Sequence, residues 1–249
     1  MAFQFLLLLF LLLVVFLLSK AFIKNLYLLF CLITRSKFWA IQLTTLILLP
    51  GTIIHELSHL IAAEVLRVPT GDISFTPEII KKNGEIKAGS LKIASVDPFR
   101  RTLVGLAPLL TGLTAITLIS KLYLIKYFPL FNLQQWSNGA IEQWLMLLVT
   151  CYLLLVISNT MFSSKKDLEA AALPAIILFM VIGAFYLGGF PIYIKPQTQE
   201  TLKNILMAIN SALALTIAID LIFLGIVKVF FNTFTKIFKR KVIKLSMMS

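Results

Sequence analysis

Charge is scarce in this 249-residue chain: 14% of it is Asp, Glu, Lys or Arg, against 59% hydrophobic residues. Soluble domains carry about a quarter charged residues. The shortfall excludes an ordinary water-soluble fold and leaves little sequence for a separate soluble domain. Acids are rarer than bases, 11 against 23, which gives a formal charge of +12. The bases lie between and after apolar runs, where they suit anionic lipid headgroups and orientation signals rather than nucleic acid. There are only two cysteines, Cys31 and Cys151, both in apolar sequence and without metal-type spacing. They read as small buried hydrophobes and supply no thiolate metal site. The absence of an internal repeat and of paired broken helices argues against a transporter. Histidine is as rare as cysteine, with two copies in the whole chain.

Both histidines stand in one apolar stretch, Gly51-Thr52-Ile53-Ile54-His55-Glu56-Leu57-Ser58-His59-Leu60. On a helix, positions four apart share a face, so both imidazoles can reach one ion. The pattern is the H-E-x-x-H of zinc hydrolases, in which the glutamate acts on water rather than on the metal. Two core histidines beside a salt-bridging glutamate are the alternative. Three ionisable groups inside a hydrophobic span are costly unless they pair, bind metal or line a wet cavity, which favours the metal. The pattern therefore predicts zinc as cofactor, His55 and His59 as ligands and Glu56 as the catalytic base.

Apolar runs of about twenty residues predict an all-α polytopic membrane protein of about six transmembrane helices. Residues 3–19 form the first span; a signal peptide fits less well, for want of a basic start and a small-residue cleavage site. Residues 20–37, with Lys20, Lys24, Arg35 and Lys37, read as an interfacial helix or as an extension of that span. The second span covers residues 38–66, with a kink expected at Pro50-Gly51. Residues 67–100 are polar and alternating, and predict a small membrane-associated β-hairpin or sheet turning at Asn83-Gly84. Further spans follow at residues 101–124, 141–162, 168–194 and 202–231, with Trp136 as an interfacial anchor and a basic tail from Lys236 to Lys244. Three parts result: an N-terminal span and interfacial segment (1–37), a histidine-bearing core (38–168), and C-terminal spans with the tail (169–249). With six spans, a cytoplasmic tail puts residues 67–100 and Lys165-Lys166 on the same side, and the bases of residues 20–37 on the other.

Two histidines need a third protein ligand and an open position for water. The acids are few enough to examine singly. Glu64 is about half a helical turn around from His55 and faces away. Asp220 sits mid-span, an expensive place for a carboxylate. Asp167 and Glu169 follow the fourth span. Asp167 has a structural role open to it as well, because Ser164-x-x-Asp167 is a capping box.

With these residues, the chain resembles the site-2 protease family of intramembrane zinc metalloproteases over roughly residues 50–170. That family pairs an H-E-x-x-H span with a later asparagine eight residues before a zinc-binding aspartate; Asn159 and Asp167 have that separation. Residues 71–95 match its small sheet, and Gly105 and Pro108 match its Gly…Pro element. Phe162 and Leu168 stand where the family has proline and glycine, and no insert of the size of a peptide-binding domain separates the spans.

The resemblance implies zinc held by His55, His59 and Asp167, with Asn159 bonding the substrate backbone, the oxyanion or another helix. It implies a metalloendopeptidase that cuts other proteins' membrane spans or signal-peptide remnants near the cytoplasmic face of a plasma (inner) membrane. The partners expected are a transmembrane substrate and the lipid bilayer. Two alternatives stay open: a gluzincin-type membrane protease using Glu169, and a zinc-binding scaffold of the same fold without activity.

Overall fold

The computed structural model describes residues 2–74, 78–80, 85–87, 90–93, 97–124, 141–162, 180, 184, 188 and 195–237. Five helices carry the described fold: α1 (Ala2–Thr34), α2 (Lys37–Val65), α3 (Pro98–Ile119), α4 (Ile141–Thr160) and α5 (Pro196–Ile237). Four stretches are long and apolar enough to cross a membrane: Phe3–Thr34, Lys37–Val65, Pro98–Leu122 and Pro196–Lys236. The apolar part of α4, Trp144–Thr160, is shorter. The chain is thus a multi-pass membrane protein built on α-helices. Asn83-Gly84, Trp136, the tail beyond Ile237 and the expected span at 168–194 lie outside the described residues.

Residues 20–34 continue α1 without a break, so the extension holds and the interfacial helix does not. The segment expected to form a β-hairpin or sheet carries four short strands. Among the described residues, strands pair in two separate antiparallel ribbons: β1 (Thr70–Ser74) with β4 (Ser90–Ile93), and β2 (Glu78–Ile80) with β3 (Glu85–Lys87). The outer ribbon is irregular between Thr70 and Ile73, and it adjoins α2.

Two arginines close helices in the left-handed conformation, Arg35 at φ 56° and Arg67 at φ 55°. After α2 the closure is complete. The Val68 N–H donates to the Ala63 carbonyl at 2.8 Å and the Arg67 N–H to the Glu64 carbonyl at 3.0 Å. That is a Schellman cap, with arginine where glycine is usual. Its apolar contact buries Ala63 and Val68 together with Val104 of α3. The α3 end is set by Asp97, whose side chain accepts from the Arg100 N–H, with Pro98 in the first turn.

Helix directions follow from paired residues. Gln4 bonds Asn210, while Ser19 and Asp220 meet at Ser158-Asn159, so α1 and α5 run the same way. The two-residue turn at 35–36 makes α2 antiparallel to α1, and therefore to α5. Consequently the chain leaves α5 at the end opposite to residues 66–97, not on the shared side that six alternating spans require. Tyr152 meets Ile47 and Val156 meets Gly51, so α4 runs parallel to α2. The chain therefore leaves α4 and enters α5 at one end of the bundle. Among the described residues, bases stand at both ends, Arg35, Lys37 and Lys236 at one and Arg67, Arg100 and Arg101 at the other.

Candidate metal centre

Pro50 sits inside α2, which continues through it. A proline withholds a backbone donor and crowds the preceding turn. In that turn the Tyr152 hydroxyl donates to the Ile47 carbonyl at 2.7 Å, tying α4 to the loosened backbone. The next residue, Gly51, fixes the approach. A Cβ there would collide with the Val156 carbonyl oxygen and with Thr160 Oγ1. Only glycine lets the helices come this close, and His55 follows one turn later.

His55, Glu56 and His59 are all buried, at 4%, 6% and 7% exposure. The two imidazoles face each other edge to face, with centroids 4.8 Å apart and planes at 84°. Spacing of four on one helix produces that proximity. Glu64 is on the exposed side, where it accepts a hydrogen bond from Thr70 at 3.4 Å, as its offset from His55 predicts.

His59 is held by α3. Its Nδ1 lies 2.8 Å from the Val104 carbonyl oxygen. In an α-helix the carbonyl of residue 104 accepts from the N–H of residue 108. Residue 108 is proline and has none. The buried Val104 carbonyl thus needs an outside donor, and His59 supplies it. A carbonyl can only accept, so Nδ1 carries a proton and the ring is oriented by it. Metal-binding histidines are oriented by this kind of bond. In the sequence Gly105 and Pro108 stood out as a match to the Gly…Pro element of the site-2 protease family. The open carbonyl four residues before Pro108 was legible locally, but its use by His59 was not.

The other expected site residues divide. Asp167 and Glu169 lie outside the described residues. Asn159, fully buried on α4, turns its amide to α5, where Nδ2 donates to Asp220 Oδ1 at 3.2 Å. Asp220 belongs to that α4–α5 contact. Among the described residues, no group of three His, Cys, Asp or Glu side chains is placed to hold a metal ion. The His55–His59 pair offers two donors of the kind zinc takes, and a third ligand is still required. Comparison with family models, curated proteins and solved structures finds no match to this chain.

Proposed function

We propose that the chain is an intramembrane zinc metalloprotease of the site-2 protease type. The observation that carries this reading is the buried His55–His59 pair on one helical turn, with the second histidine held through Nδ1 by the Val104 carbonyl.

In this reading His55, His59 and Asp167 hold the metal. The parallel course of α2 and α4 supports Asp167, because the chain passes Phe162 near the depth of the histidine turns. Five further residues extend at most about 17 Å. Glu169 is within similar reach and would make a gluzincin-type site. Zinc content of Asp167→Ala against Glu169→Ala separates the two.

Bound zinc supplies Lewis acidity and a water whose pKa is lowered to about 7. Glu56 takes the proton of the attacking water and passes it to the leaving amine. Its burial keeps that transfer out of bulk solvent. Asn159 fastens α4 to α5 in this reading and leaves substrate contact to other groups. The substrate is another protein's span, reached from the bilayer. Carbonyls inside a helix are already hydrogen-bonded, so the segment unwinds before attack. The β1–β4 ribbon beside α2 offers strand edges on which an extended segment can pair.

The test is cleavage of a model spanning peptide by detergent-purified protein. Wild type is expected to cut it, and Glu56→Gln to cut at least a hundredfold more slowly, as removal of a general base does. Equal cleavage by both removes the mechanism. Full zinc occupancy with no turnover would favour the inactive scaffold.

A further inference from the structure

Three helices meet around a carboxylate that the protease chemistry does not use. Asp220 of α5 is 1% exposed, in the middle of a span. Ser158 Oγ lies 3.0 Å and Asn159 Nδ2 3.2 Å from its Oδ1, both as donors. Ser19 of α1 donates to the Asn159 backbone carbonyl at 2.8 Å. Thr216, fully buried, stands one turn before Asp220 on the same face.

Two oxygens in this cluster have no hydrogen-bond partner: Asp220 Oδ2 and Asn159 Oδ1. Rotating the Asn159 amide offers no escape. Its nitrogen edge already faces acceptors, the Leu155 carbonyl at 2.8 Å and Asp220 Oδ1. Reversing it would set oxygen against oxygen. No cation answers the carboxylate among the described residues. Lys20, next to Ser19, is exposed and has its ammonium 4.2 Å from the Phe16 ring centre. Lys228, two turns along α5, is exposed as well. A lone carboxylate with an unmet oxygen is expensive at this depth.

We infer that Asp220 and Asn159, with the hydroxyls around them, form a binding site for a monovalent alkali cation that joins α4 to α5. The donors are all oxygen, which selects a hard cation over zinc or copper. There is one negative charge, which a single positive charge neutralises. Calcium sites gather several carboxylates, and a divalent ion here would leave a net charge in hydrocarbon. The site uses none of the residues assigned to zinc and stands whether or not the chain is a protease.

The test is thermal unfolding of the detergent-purified chain at constant ionic strength, with choline chloride replaced stepwise by NaCl, and by KCl in a parallel series. Wild type is expected to gain about 5 °C in a saturable manner with sodium. Asp220→Asn is expected to give a flat line. A potassium response as large as that of sodium also supports an alkali-cation site. The same Tm in all three salts, or an equal sodium response in Asp220→Asn, overturns the inference. Should Asp220→Asn fail to fold, equilibrium dialysis of wild type with radioactive sodium decides. One saturable site per chain is expected, and no saturable uptake overturns it.

Discussion

His59 and Val104, 45 residues apart, are joined by a 2.8 Å hydrogen bond from the imidazole Nδ1 to a carbonyl that Pro108 leaves without its helical donor. A proline in one helix thereby orients a histidine in another.

Pro108→Ala separates this role from stability. Alanine restores an N–H that competes with His59 for the Val104 carbonyl, and it favours the helix. Thermal stability is expected to hold or rise while zinc affinity falls 10- to 100-fold, the usual cost of losing an outer partner. Competitive chelator titration measures it. Unchanged affinity would mean that the bond does not orient the ligand.

Two glycines form a matched pair. Gly51→Ala puts a methyl group into the Val156 carbonyl and Thr160, and is expected to destabilise by about 1–3 kcal/mol. Gly225 of α5 has nothing within 4 Å of an added Cβ. Gly225→Ala is expected to stabilise by about 0.5–1 kcal/mol through helix propensity alone. Denaturant unfolding in detergent compares them, and zinc affinity should fall only in Gly51→Ala.

Arg67 carries the left-handed cap that seats Val68 against Val104. Arg67→Gly is expected to gain about 1 kcal/mol, because glycine adopts that conformation without steric cost. Arg67→Val is expected to lose at least as much. Unfolding midpoints of the two variants test the sign.

Several of these features were open to sequence reasoning because they are local. Spacing of four makes neighbours of His55 and His59 on any helix, and nine residues turn Glu64 away from them. The apolar runs announced the membrane helices. What stayed hidden depends on which helices meet. Gly51 read as half of a kink, whereas its role is to admit the Val156 carbonyl. Asp220 read as a reserve metal ligand, yet α5 brings it to Asn159, 61 residues away. Hydropathy counts apolar length and carries no information about direction.

The central claim is that a metal ion is gripped by His55, His59 and a carboxylate from beyond α4. Metal analysis of purified wild type, His59→Ala and Asp167→Ala tests it most directly. One zinc per chain in wild type, lost in both variants, is the expected result. Metal-free wild type, or full zinc in His59→Ala, would contradict the account.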